Sequence, residues 1–527
     1  MGGPFTTIKG RKTRMKKLCT LLLAAGLLLG GTGMARAVDF TAQGVWLFGF
    51  TAGDFDLVHK TRNGDKVTKN TRDKFEAKQR IRLQFEAAVS ESLSGTIQLQ
   101  IGNNSWGKAN NPQGGAALGA DSTDQIKVRR AFMDWMPPEM DLKVRMGIMP
   151  VSLPNKAGGT AIMETQVAGI SASYQFTENV GLTAFWARPF NDNYKGGFNG
   201  SQDSYLDNMD LFSLILPLNF DGFEITPWIM YGMKGKNTLF PDADSRITTY
   251  GDDGNMPFTL YPSPGINDFL GNYRAGSTSK AYGSVFWAGL PFQITLFDPL
   301  NIEVDLNYGY VEAMGRYNAI KYDGATPVIK RSSTERQGWL AKALVEYKMD
   351  WGVPGIFGWY ASGDDGNPKN GSERLPSIVG WGNFTSFIGD GNEAWAWQDY
   401  DTTYSGTWGV GLQLRDMSFL EDLTHTLRVA WWGGTNSPSM VKYMNTSYSW
   451  TDGIREYEGP YLTTEDGLLE VNFINNYRMY ENFNINLELG YIANFMDNDT
   501  WKKAGRRDTS FEKQDAWKAQ LVFAYSF

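Results

Sequence analysis

Cysteine and histidine are almost missing from this chain, with one and two copies in 527 residues. The lone Cys19 allows no disulfide and no thiolate metal centre. Transition-metal sites, which draw on imidazole and thiolate, lack ligands as well. Long apolar runs are equally scarce. The run from Leu18 to Leu29 is too short for a membrane helix, which needs ~20 residues. Basic excess is missing too: the net charge is −7, opposite in sign to what a nucleic-acid surface requires.

The segment before residue 38 reads as a removable leader. Lys9, Arg11, Lys12, Arg14, Lys16 and Lys17 precede the apolar run, which closes on Ala35-Arg36-Ala37. Basic, apolar, then A-x-A is the order of a secretory signal, so 1–37 is expected to be removed and 38–527 to form one domain. Cys19 opens the apolar run, which is the wrong place for a lipoprotein acceptor. Seven of the 50 Lys and Arg leave with the leader and none of the 57 acids do, so the remainder carries 43 basic and 57 acidic residues, net −14.

The full chain is rich in glycine (59) and aromatics (14%), with a mean hydropathy of −0.36. A helical membrane protein cannot read as that polar, whereas a membrane β-barrel can, because alternate strand residues face water. Phe75 to Glu86 shows the alternation. Glu76, Lys78, Arg80, Arg82, Gln84 and Glu86 share one parity; Phe75, Ala77, Ile81, Leu83 and Phe85 share the other. On a helix the charges would scatter around the circumference; on a strand they share one face. The same period recurs at 142–148, 302–310, 484–491 and 517–527. A soluble sandwich would need a second facing apolar core, for which no pattern is visible. Each Lys or Arg turned toward lipid at mid-bilayer costs ~2–4 kcal/mol, so the charged parity faces the lumen.

Short turns near 90, 138, 178, 221, 351 and 481 alternate with long polar connections, the arrangement of bacterial barrels. Strands are expected to begin near 40, 75, 93, 125, 141, 167, 180, 209, 223, 281, 300, 336, 354, 403, 423, 466, 483 and 515. The fold class is therefore all-β, a transmembrane antiparallel barrel of about 18 strands, with 16 left open because the pairing around 281–300 is weakest. Trp46, Trp135, Trp186, Trp287, Trp339 and Trp517 are expected in interfacial girdles. Sugar stacking is the rival reading, chiefly for Trp381, Trp395 and Trp397 in the loops.

Catalytic residues are not identified. His59 lies in a charged loop and His425 alternates outward with Leu427 and Val429, as an interfacial side chain; only a barrel lipase would use it as a base. Asp364, Asp365 and Asp390 sit in Asp/Asn/Gly turns, with Asp252 and Asp253 in another; turn formation accounts for them, and calcium is the weaker alternative. No cofactor is expected. Lys78, Arg80, Arg82, Arg130, Lys143 and Arg145 form a basic lumen wall, against the acids Glu76, Glu86, Asp134, Glu303 and Asp305. Lys127 and Arg129 break the alternation and are expected on the lipid side at the external rim, where charge costs only ~0–1 kcal/mol. The segment Pro150 to Thr165, apolar and Gly-rich with only Lys156 and Glu164 charged, should leave water by folding into the barrel.

A narrowing loop after strand five that faces a basic wall resembles the general-diffusion porins. The runs Lys127 to Trp135 and Leu142 to Pro150 are similar to the outer-membrane homotrimeric porins of sulfate-reducing bacteria. The ending, with Tyr525 and Phe527, resembles the signature read by the barrel-assembly machinery. The resemblance implies a homotrimer in a Gram-negative outer membrane, in contact with lipid and lipopolysaccharide, passing small hydrophilic solutes and ions. A loop with one acid departs from family members that carry several. The expected function is a porin with a modest anion preference; the alternative is a channel selective for a sugar or an oxyanion.

Overall fold

The computed structural model describes residues 38–54, 57, 74–107, 115–116, 126–191, 208–235, 280–314, 316–323, 326–380, 382–387, 404–443, 461–503 and 513–527. The leader, His59, Asp252, Asp253, Asp390, Trp381, Trp395 and Trp397 lie outside them.

Eighteen strands close into one antiparallel barrel. The first nine are β1 (Asp39–Asp54), β2 (Lys74–Ser90), β3 (Leu93–Trp106), β4 (Ile126–Trp135), β5 (Leu142–Ser152), β6 (Glu164–Thr177), β7 (Val180–Asn191), β8 (Asn208–Ile215 continued by Leu218–Phe220) and β9 (Phe223–Ile225 continued by Trp228–Gly235). The rest are β10 (Tyr282–Ile294), β11 (Leu300–Val311), β12 (Arg336–Tyr347), β13 (Val353–Ala361), β14 (Thr407–Leu420), β15 (Leu423–Gly434), β16 (Gly467–Tyr480), β17 (Phe483–Asn494) and β18 (Ala516–Ser526). Pro217 and Pro227 fall at the breaks in β8 and β9, where a missing N–H interrupts the ladder. β1 pairs with β18 from Val45↔Ser526 to Asp54↔Trp517, so no strand of the ring is left as an edge. β10 and β11 pair from Val285↔Val311 to Ile294↔Ile302, which removes the 16-strand option.

The alternation sorts side chains by solvent. Outside, Phe85, Ile148, Leu306, Leu412, Leu487 and their neighbours form an exposed apolar band, with Trp46, Trp135, Trp339 and Trp517 among the exposed aromatics. This exterior belongs in a membrane. The one polar residue of the outward parity in β2, Gln79, accepts a hydrogen bond from the Trp106 indole at 3.0 Å. Trp287 departs from the girdle expectation: it points inward, fully buried, and its indole donates to the Pro376 carbonyl at 2.8 Å.

The core lies inside the barrel. Both Leu153, Ala157, Ile162 and Met163 and the later segment Leu375, Ile378, Phe384 and Phe387 are buried there against inward residues such as Trp228, Trp287, Phe357 and Trp359. One inserted loop was expected; the described residues show a second after β13.

Candidate functional site

The loop after β5 enters the lumen as its composition predicts. Burial of its larger apolar side chains contributes about 1.5–3 kcal/mol each. Gly158, at φ +65°, makes the turn, and a Cβ there would come within 2.7 Å of the Phe384 ring. The backbone N–H groups of Lys156 and Ala157 donate to the Asp305 carboxylate at 3.0 and 2.9 Å. Lys342, directly across the β11–β12 ladder from Asp305, donates to the carbonyls of Ala157 (2.6 Å) and Gly159. Lys156 pairs with Glu224 on β9, and the Trp228 indole reaches the Pro154 carbonyl at 3.2 Å.

The second inserted segment follows β13. It pairs with the first by backbone: Ile378 N–H to the Ile162 carbonyl (2.8 Å) and Glu164 N–H to the Val379 carbonyl (2.7 Å). It then crosses to β16–β18, where Ser386 N–H donates to Asn472 Oδ1 (3.1 Å) and Phe387 N–H to Glu470 Oε1 (3.0 Å). Hydrogen bonds thus anchor the segments to β9, β11, β12, β16 and β18. The signal for the second one was present in Gly338, an inward strand glycine whose Cβ would sit 2.3 Å from the Leu375 nitrogen. Glycine inside a strand marks close approach of another backbone.

The expected basic wall lies on β2–β5, with revisions. Arg80 is inward but buried, at 3% exposure, so it is not a free lumen charge. Asp134 is held by Arg145 through two bonds of 2.6 and 2.7 Å and by Lys143 at 3.0 Å. The Arg145 guanidinium also lies 4.1 Å from the centre of the Phe132 ring. Lys78 pairs with Glu76 at 2.6 Å. Lys78 and Glu76 cancel, while the Asp134 cluster keeps one positive charge in excess.

Arg129 and Lys127 correct the lipid-side expectation. Between Gln98↔Arg130 and Leu99↔Val128 the β3–β4 register slips by one residue, which makes Arg129 the extra residue of a β-bulge. The bulge restores Val128 and Ile126 to the lipid face and turns both cations inward. Arg129 Nη1 donates to Gln98 Oε1 at 3.0 Å. Lys127 pairs with Gln100, whose side chain accepts from Arg82 inside the barrel. Arg82, Arg129 and Arg130 thus form a tier whose hydrogen bonds go to the amide oxygens of Gln100 (2.9 Å), Gln98 (3.0 Å) and Gln166 (2.7 Å). None of those acceptors carries a compensating charge.

The acids are distributed differently. Glu86 is inward and half-buried on β2. Glu303 is inward on β11, bonded by Asn301 at 3.0 Å, while Asp305 is covered by the first loop. Glu346 on β12 is held by Arg415 at 2.6 and 2.9 Å. In the loops, Asp364 accepts from Ser372, Tyr461 and the Glu373 N–H, and Asp365 caps the Asn367 N–H at 2.7 Å. Their oxygens serve turns. His425 is outward, bonded to Asn475 at 2.6 Å and stacked on Phe473.

No protein-family model and no curated protein matches this chain. Among solved structures it is similar to OccK11 (OpdR) of Pseudomonas aeruginosa, at 11% identity and TM-score 0.45, over 93% of this chain and 96% of that one. It is similar to OccAB3 of Acinetobacter baumannii at 11% identity and TM-score 0.47, over 93% and 99%. The outer membrane protein opdK of P. aeruginosa matches at 11% and 0.46, over 93% and 98%.

Proposed function

We propose that the chain is an outer-membrane channel for passive entry of small hydrophilic solutes and ions, with a modest preference for anions. The observation that carries this reading is the tier Arg82–Arg129–Arg130, whose guanidiniums are bonded to amides in a lumen narrowed by two inserted loops. Selection is made where charged groups face the permeant ion between low-dielectric walls. Charge on the external loops is screened beyond a Debye length of ~8 Å at physiological salt, so the net −14 does not decide it. The test is the reversal potential in a planar bilayer under a salt gradient. Wild type should favour the anion, and Arg82→Ser with Arg129→Ser should move the potential toward the cation without abolishing current. A clearly cation-selective wild type would remove the proposal.

A substrate-selective channel for an oxyanion is the second reading, favoured by the same tier, since several fixed N–H donors bind a planar or tetrahedral anion well. Saturating conductance with rising anion concentration distinguishes it. Homotrimer formation, contact with lipopolysaccharide and insertion by the barrel-assembly machinery belong to the same proposal. Chemical cross-linking of the detergent-extracted protein tests the trimer.

A further inference from the structure

We propose that the two inserted segments form a mask over the acidic part of the lumen wall, and that Lys342, Lys518 and Tyr404 are the positioning residues that hold it there and thereby set the ion preference. This rests on the channel reading above.

The mask is fixed at two places by the same chemistry. At β11–β12, the Asp305 carboxylate takes loop N–H groups from Lys156 and Ala157, while Lys342 gives hydrogen bonds to the Ala157 and Gly159 carbonyls. At β16–β18, Glu470 takes the Phe387 N–H, while Lys518 gives a hydrogen bond to the Ser386 carbonyl at 2.9 Å and pairs with Glu488 at 2.7 Å. In both places a carboxylate holds the donor side of the loop backbone and a neighbouring lysine the acceptor side. Asp305, Lys342, Glu470, Glu488 and Lys518 are all buried, at 5% exposure or less. Burying that many charges contributes little to net stability, because desolvation offsets the attraction. What the arrangement supplies is placement.

Tyr404 joins the two segments. Its hydroxyl donates to the Gly158 carbonyl at 2.7 Å and accepts from the N–H groups of Asn383 (2.9 Å) and Phe384 (3.1 Å). Its ring packs against Trp359 and Phe384, themselves stacked against Phe357.

The consequence is asymmetric. With the mask seated, Asp305, Glu470 and Glu488 are buried and withdrawn from permeating ions, whereas Arg82, Arg129 and Arg130 remain partly exposed. Lifting it returns three carboxylates and two amines to the lumen and widens the path, so current should rise and selectivity should move toward cations.

Tyr404→Phe changes no charge and is the deciding variant. In planar bilayers it should raise single-channel conductance and shift the reversal potential toward the cation. Lys342→Met should shift it further. The pair Asp305→Asn with Lys342→Met, neutral overall, should keep the conductance rise with a shift like that of Tyr404→Phe and smaller than that of Lys342→Met. Cys19 is the only cysteine of the chain, so Ser386→Cys gives a reporter read by a charged thiol reagent. It should be unreactive alone and reactive with Tyr404→Phe added. Wild-type conductance and reversal potential in both Tyr404→Phe and Lys342→Met, or a Ser386→Cys thiol that reacts equally with and without Tyr404→Phe, would overturn the mask. A protein that passes no current in any form removes the channel reading instead, and the thiol readout still decides the mask.

Discussion

The ring of Phe527 lies on Gly44: a Cβ at Gly44 would come within 2.4 Å of it, and the two residues exchange backbone hydrogen bonds of 3.0 and 3.1 Å. The last residue of the chain therefore completes the seam between the first and last strands. Gly44→Val should crowd that seam by about 1–3 kcal/mol, the usual cost of overpacking. The expected outcome is a lower temperature for loss of the compact, SDS-resistant form on gels, with deletion of Phe527 more severe. An unchanged transition in Gly44→Val would show that the terminal ring can leave Gly44 without cost.

Asp134 compensates two cations at once, Arg145 and Lys143. Asp134→Asn should cost about 1.5–3 kcal/mol in charge-assisted hydrogen bonds. It should also free positive charge on the lumen wall and move the reversal potential toward the anion. Movement toward the cation would mean that Asp134 is not acting as the local counter-charge.

Glu373, in the segment after β13, has its carboxyl pushed up to about 7 by burial and by the neighbouring charges of Asp364 and Asp365. Its ordinary value is 4.5, so between those two pH values the folded loop binds a proton that the unfolded chain does not. The loop is then more stable on the acid side and loses stability as pH rises through about 7. Hydrogen exchange of residues 362–374 should be slower at pH 5 than at pH 8, after correction for intrinsic rates. Glu373→Gln should remove that difference; a pH response that survives the substitution assigns it to another group.

Export should leave a chain beginning at Val38, one residue before β1 starts at Asp39. Intact mass of the membrane-extracted protein checks this. Retention of residues 1–37, or lipid on Cys19, would contradict the reading of the leader.

The lumen and lipid faces were legible in the sequence at β2, β5, β11, β17 and β18 because the membrane imposes them one side chain at a time. A charged residue on the lipid face costs several kcal/mol, so parity alone assigns Lys78, Arg82 or Glu303 to the interior. The inward loop after β5 was legible for a similar local reason: Leu153, Ile162 and Met163 cannot remain in water. The strand count followed from turn spacing.

What the sequence alone could not decide depended on partners far along the chain. Trp287 reads as a girdle residue until Pro376, 89 positions later, accepts its indole hydrogen bond inside the barrel. Arg129 reads as lipid-facing until the slip in the β3–β4 register turns it inward. Among the contacts that hold the second inserted segment are Phe387 to Glu470, 83 residues apart, and Tyr404 to Gly158, 246 apart. Parity is a property of each strand, fixed by the solvent on either side of it. Which carboxylates stay open to the lumen is a property of the loops packed against them, and only the tertiary structure brings those loops and carboxylates together.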